Sequence, residues 1–320
     1  MNGANGLRAV LHYRASSGLR SMLDAACSAL PGLTVQLVDE ADTGGFDAAL
    51  PKMQVLLHVL KPVSAAMIAA APRLRLIQKI GVGVNTIDLD AARARGIAVC
   101  NMPGSNSQAV AEHTLMLMLA ALRRVLLLDA ATRAGAGWSL APDALDNCGE
   151  LAGRCVGLVG FGAVPRKLAP VLLALGARVI HTNRSGAASE SWRTLDGLLS
   201  EADVVSLHIP LNPDTAGLIN AQRLARMKPG AVLVNTARGG LVDEAAMLAA
   251  LRSGHLRAAG LDVLAQEPTS ANNPLLALDN VVVTPHVAWL TPETLQRSLG
   301  IAVENCRRLA LGAPLLHRVA

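Results

Sequence analysis

A chain of 320 residues is about twice the length of a common single domain. Its 52% apolar and 17% charged side chains exclude both a disordered chain and a charge-laced coiled coil. The net charge of +5 does not point to nucleic acid, because the 29 basic residues are scattered and only three Trp, two Phe and one Tyr are present to stack on bases. The longest apolar run near the middle, 114–122, stops at Arg123 and Arg124, short of the roughly 18 to 20 residues of a membrane span. The first 18 residues lack the apolar block and cleavage site of a secretory signal. Cys27, Cys100, Cys148, Cys155 and Cys306 form no CxxC and no paired metal spacing, so they read as reduced thiols of a cytoplasmic protein without a metal site.

In chain order, residues 9–13, 34–38, 55–60, 76–80 and 98–101 are predicted strands, with helices over 19–29, 64–70 and 89–95 between them. Continuously apolar strands separated by helices argue for a parallel sheet covered on both faces. Residues 108–128 repeat apolar positions at helical spacing without Pro or Gly, predicting one helix about 30 Å long at 1.5 Å per residue. A Gly-, Pro- and Asn-containing stretch, 135–149, leads into a second alternating series with strands at 155–159, 178–182, 204–207, 231–235, 258–262 and 281–284. Six parallel-type strands match a full dinucleotide-binding sheet. A last helix over 291–311, opened by a Thr cap and Pro292, is expected to return to the first unit.

The first chemical motif is Gly157-Leu-Val-Gly160-Phe-Gly162-Ala163-Val164-Pro165, which follows a strand and opens a helix. Glycines there let backbone approach a pyrophosphate, whose charge the helix N-terminus receives. Pro165 stands in place of the third glycine of GxGxxG, which puts close packing of helix on strand in doubt, and Pro170 is expected to kink the same helix. At the end of the next strand an NAD site usually carries an acid for the ribose hydroxyls. Here the strand ends His181-Thr-Asn183-Arg184-Ser185. Arg184 can fork onto a 2′-phosphate while Asn183 and Ser185 donate hydrogen bonds, so NADP(H) is favoured over NAD(H).

Arg238, Glu267 and His286 each follow a strand of the second series, at the sheet end where open α/β folds place ligands. Reduction of a 2-oxo acid requires a cation for the carboxylate, a proton donor for the developing alkoxide and a group that holds the donor charged. These three residue types meet that requirement.

Taken in order, the segments LRLIQKIGVGVNTIDL, GIAVCNMPGSNSQAVAEHTLMLMLAALRR, GLVGFG, MKPGAVLVNTARGGLVDE, LDVLAQEP and TPHVAWLTPET resemble the D-isomer-specific 2-hydroxyacid dehydrogenase family from about Leu74 to Leu309. The resemblance implies an α/β fold of two doubly wound parallel-sheet domains. One is a flavodoxin-like substrate domain over 1–101 plus 286–320, and the other a Rossmann dinucleotide-binding domain over 102–285. It implies Arg238, Glu267 and His286 as catalytic set, and Val82 and Gly83 with Arg238 and His286 for substrate. Thr236, Ala237, Arg238, Asp262, Pro210 and His286 would join Gly160, Gly162, Ala163, Val164, Asn183, Arg184 and Ser185 around the cofactor. Asp262 would meet the nicotinamide amide, and the two domains would close over cofactor and substrate. A homodimer through 108–147 and reduction of glyoxylate or hydroxypyruvate type are further implications, the NRS ending resembling NADP-using members. Asn85 departs from the Asp that often follows GVG. The same fold also serves a nucleotide-sensing corepressor, a scaffold with little turnover, which NADPH consumption would distinguish from an enzyme. Glu112, His113 and a solvated Lys79 read as structural residues, Met116 and Met118 as core, and Trp289 as a substrate-side or packing residue.

Overall fold

The computed structural model describes residues 6–146, 148–186 and 189–320. The chain divides into two units, Met1–Asn106 with Leu290–Ala320, and Ser107–Trp289. His286 therefore belongs to the second unit rather than opening the C-terminal return to the first.

The first unit holds β1 (Leu7–His12), β2 (Leu33–Val38), β3 (Val55–His58), β4 (Leu76–Lys79) and β5 (Ala98–Cys100), ordered β2-β1-β3-β4-β5 with every pair parallel. This is the flavodoxin-like order. β3, β4 and β5 are buried at every residue, whereas the edge strand β2 alternates between half-buried and exposed positions until Val38, which is buried. Burial on both faces explains the unbroken Val, Leu and Ile runs. A helix over Thr43–Ala49 was not legible, because Gly44 and Gly45 weaken helix propensity. Asp42 caps it by accepting from Gly45 N at 2.8 Å, and Phe46 anchors it in the core.

One row of this sheet is polar. His12, His58 and Lys79 pair in register across β1, β3 and β4 and are all buried. Lys79, expected in solvent, instead donates to the Val59 carbonyl. Burial, reinforced by the charge of Lys79, drives the His58 imidazole down to about 3, although its 2.6 Å bond to the Lys61 carbonyl opposes this. The folded chain thus keeps His58 neutral between about pH 3 and pH 6.5, where the unfolded chain protonates it. Stability falls as pH drops through 6.5 and levels off near 3, by at most about 1.4 kcal/mol per pH unit for one such group. His58→Gln retains a donor for Lys61 and removes the titration. Its melting temperature should fall less than wild type between about pH 7 and 4.5; equal falls would show that His58 does not carry the loss.

The second unit holds β6 (Cys155–Val159), β7 (Arg178–Thr182), β8 (Val204–Leu207), β9 (Ala231–Asn235), β10 (Leu256–Leu261) and β11 (Val281–Val283), ordered β11-β10-β9-β8-β6-β7 and parallel throughout. A single parallel bridge from His181 to Trp192 extends the sheet beyond β7. Counted as a short strand, it gives the Rossmann order 3-2-1, followed by the remaining strands in sequence. The order reverses beside β6, the strand that leads into the glycine turn.

The helix predicted over 108–128 is two helices, Ser107–Leu122 and Val125–Arg133. Arg124 between them is left-handed, with φ of 50°, which breaks the hydrogen-bond ladder. Arginine is a good helix former, so propensity read straight through it. Long-range partners hold the break: Arg124 reaches Asp279 at 3.0 Å and the Ala144 carbonyl at 3.3 Å. Met118 is core as expected, but Met116 is exposed. The last helix, Pro292–Leu311, runs from its Thr291 cap, which accepts from Thr294 N at 3.1 Å, to Gly312 in the left-handed conformation. None of the described helices is long and apolar enough to cross a membrane.

Candidate active site

The glycine turn after β6 has a separate cause at each glycine. Gly160 takes φ of 95°, and a Cβ there would lie 2.7 Å from the His208 carbonyl oxygen, so the loop after β8 presses directly on it. Gly162 has an ordinary backbone and open space where its side chain would be. Nothing within the chain demands a glycine there, which leaves a cradle for an outside group.

Gly162 is also the N-cap of the helix Ala163–Ala174 and offers no side chain to the first turn. The Ala163 and Val164 amides remain available to an anion, with the helix dipole in support. Pro165 costs little there, since the first turn has no intrahelical acceptor for its missing N–H. The doubt about helix packing is removed: Pro165 is buried, and Leu168, Ala169 and Leu172 enter one core cluster with Val156 and Leu158 of β6. The helix continues through Pro170, which faces solvent.

Beyond β7, the Asn183 carboxamide oxygen is buried with no partner among the described residues. Arg184 and Ser185 are exposed beside it, Arg184 without an ion pair among those residues. A cradle open to a pyrophosphate and an unsatisfied amide at the ribose position fit a dinucleotide. Phe161 stacks on His181 at 4.0 Å, with the Arg166 guanidinium 5.6 Å above the Phe161 ring, a small tier that the sequence did not reveal.

Arg238 sits at the turn after β9. Asn235 shapes that turn from both sides, accepting from Ala237 N at 3.0 Å and donating to the Arg238 carbonyl at 2.9 Å. Thr236 is buried against Thr114, their hydroxyls 2.8 Å apart. Gly239 allows no side chain, because a Cβ would overlap the Leu264 carbonyl carbon at 1.9 Å. That close approach brings the turn against the segment carrying Glu267, whose Oε1 accepts from Leu264 N at 3.0 Å. Burial lowers the Arg238 guanidinium from its ordinary value and the Glu267 charge opposes the shift; at neutral pH it stays a cation.

Glu267 Oε2 lies 2.6 Å from His286 Nδ1. Burial resists ionisation of Glu267, but the bonds from His286 and the Leu264 amide, with the charge of Arg238, outweigh it and hold the carboxyl below its ordinary value. A carboxylate at Nδ1 fixes the imidazole with Nδ1–H inward. The opposite nitrogen, Nε2, has no protein partner among the described residues, and the side chain is 21% exposed. The structure thus brings Arg238, Glu267 and His286 together on one unit, with one ring nitrogen left for an incoming group.

Asp262, expected at the nicotinamide amide, has a further task. It is buried, and its carboxylate accepts the Thr284 hydroxyl at 2.6 Å and the Val287 and Ala288 amides at 2.9 Å each. Trp289 is buried and donates to the His286 carbonyl at 3.1 Å, so it packs on the loop that carries the histidine. In the first unit the loop after β4 leaves the Val82 and Gly83 amides without partners among the described residues, while Asn101 donates to the Val82 carbonyl at 2.9 Å. Pro210 accepts from the Thr215 hydroxyl at 2.7 Å. No group of three or more metal-ligating side chains exists among the described residues.

Residues 115–288 match the profile described as "D-isomer specific 2-hydroxyacid dehydrogenase, NAD binding domain". A D-3-phosphoglycerate dehydrogenase of Mycobacterium leprae is 43% identical over 87% of this chain and 53% of its own, so the chain spans about half the length of that relative. A glyoxylate reductase of Aeropyrum pernix is 39% identical over 78% of this chain and 77% of its own. A crystal structure of a Thermus thermophilus protein, 37% identical, superposes with a TM-score of 0.89 over 98% of this chain and all of its own. By these similarities the chain belongs to the D-isomer-specific 2-hydroxyacid dehydrogenase family.

Proposed function

We propose that the protein reduces a small 2-oxo acid of the glyoxylate or hydroxypyruvate type to its D-2-hydroxy acid with NADP(H). The observation that carries this reading is the Glu267–His286 pair, 2.6 Å apart, which leaves Nε2 as the outward proton donor beside the Arg238 cation. A bound nicotinamide dinucleotide supplies the hydride. His286 Nε2–H gives its proton to the keto oxygen, so no free alkoxide builds up. Arg238 holds the substrate carboxylate as a two-pronged donor. Glu267 keeps the imidazole oriented through its bond to Nδ1.

The Gly160–Val164 turn receives the pyrophosphate, while Asn183, Arg184 and Ser185 take the ribose and its 2′-phosphate. Pro210, Thr236, Ala237 and Asp262 complete the cofactor set, Asp262 with the second lone pair of Oδ2. The Val82 and Gly83 amides of the first unit, unpartnered among the described residues, are donors of the kind a carboxylate takes. The relatives carry different substrate names, phosphoglycerate in one and glyoxylate in another. The test is a steady-state panel of glyoxylate, hydroxypyruvate, phenylpyruvate and 3-phosphohydroxypyruvate with NADPH and with NADH. The highest kcat/KM should fall to a small unphosphorylated acid with NADPH. Preference for the phosphorylated acid overturns the substrate class, and turnover of none leaves only the scaffold reading.

We further assign a second copy of this chain to the segment 108–147, where Met116, Leu119, Val125, Leu126, Trp138 and Leu145 are all exposed, Trp138 to 90%. Large apolar side chains left exposed in one segment favour an interface there. Asn147, at the end of the segment expected there, lies outside the described residues. Sedimentation equilibrium should return twice the 33.2 kDa chain mass, and a monomer would refute the assignment. The same reading places the protein in the cytoplasm, where burial holds the Cys100 and Cys306 thiols protonated by pushing them up to about 11 and about 12.

A further inference from the structure

The loop that carries His286 is tethered more densely than its length requires. His286 has φ of 55°, a left-handed backbone that a side-chain-bearing residue keeps only when its surroundings hold it. The restraints converge on Asp262. Its carbonyl accepts from His286 N at 2.8 Å, and its carboxylate accepts from Val287 N and Ala288 N at 2.9 Å each. The Thr284 hydroxyl adds a 2.6 Å bond to the same carboxylate.

These contacts force the direction of the next one. Thr284 has a single hydroxyl proton, and the carboxylate can only accept it. The 2.9 Å contact between Thr284 Oγ1 and His113 Nε2 must therefore have the imidazole as donor. His113 Nε2 also lies 3.5 Å from Asp262 Oδ1, and its side chain is largely buried. His113 comes from the helix Ser107–Leu122, 171 residues before Thr284, so it braces the loop from a different part of the unit. Spacing on its own helix could not show this, since Glu112 beside it faces solvent and pairs with Gln108 at 2.7 Å.

We propose that His113 is a positioning residue for His286: its Nε2–H secures the Thr284–Asp262 pair, and through that pair the left-handed backbone that aims the proton donor. The proposal rests on the reading of His286 as proton donor. His113 acts through Asp262 and not on the reacting atoms. A core histidine with no such role would affect folding alone. A positioning residue instead lowers kcat while nucleotide affinity stays intact, because small displacements of a catalytic group are costly.

The experiment compares His113→Leu, which removes the donor, with His113→Gln, which keeps an N–H at similar reach. In His113→Leu, kcat for the best 2-oxo acid of the panel should fall about tenfold or more. KM for that acid and the NADPH Kd from fluorescence titration should stay within about twofold. His113→Gln should recover kcat to within about threefold of wild type. Amide hydrogen exchange over 284–290 should accelerate in the Leu variant and return in the Gln variant. If His113→Leu does not fold, His113→Asn, one methylene too short to reach, takes its place. Wild-type kcat in the Leu variant, or a Gln variant no better than Leu, overturns the proposal. So does unchanged exchange over 284–290. Should the wild type turn over no 2-oxo acid, the functional reading has failed, and the exchange measurement alone still decides whether His113 holds the loop.

Discussion

Replacement of His286 by Ala is expected to lower kcat by about 10²–10⁴-fold, the usual contribution of a positioned proton donor. Nε2 has no protein partner among the described residues, so the side-chain bond lost is the one between Nδ1 and Glu267 Oε2. Glu267 keeps its bond from Leu264 N at 3.0 Å and should stay in place, and the Gly160–Val164 turn is untouched. The NADPH Kd should therefore move by less than about twofold, and the loss should appear in kcat rather than in binding. Stopped-flow and steady-state assays with the best substrate of the panel read both quantities. An alanine variant with wild-type turnover would remove His286 from the reaction, and a proportional loss of nucleotide binding would recast it as a cofactor ligand.

The second large effect concerns cofactor choice. No carboxylate stands at the end of β7, where Asn183 has a buried, unpartnered oxygen and Arg184 is exposed and unpaired among the described residues. Asn183→Asp combined with Arg184→Ala supplies the missing acid and removes the cation. A hydrogen bond to a charged group contributes about 1.5–3 kcal/mol, or about ten- to a hundredfold. The double variant should lose at least that factor in kcat/KM with NADPH, through both lost attraction and new repulsion, while kcat/KM with NADH holds or rises. If the wild type already prefers NADH, or the variant keeps its NADPH preference, the role given to Arg184 is wrong.

What was legible beforehand follows from the range of the forces involved. The two parallel sheets could be read because doubly covered strands need apolar residues at every position, a pattern confined to four to six neighbours. The glycine turn could be read because strand, turn and helix N-terminus are contiguous. The break at Arg124 could not, since it depends on Asp279, 155 residues away. The polar row of His12, His58 and Lys79 was equally hidden, since each is the last residue of its strand and only strand register aligns them. Asp262 looked like a cofactor residue from its motif, and its hold on Val287 and Ala288 emerged only from the fold.

By itself the sequence determined the succession of strands and helices, the turn able to face a pyrophosphate, and the chemical types of the reacting groups, because residues within a few positions of one another settle these. Tertiary structure alone decided that Glu267 meets His286, that His286 is held left-handed, and that His113 braces its loop. Those contacts join residues 19 to 171 positions apart, and their partners are chosen by how strands register and helices pack, which no local propensity encodes.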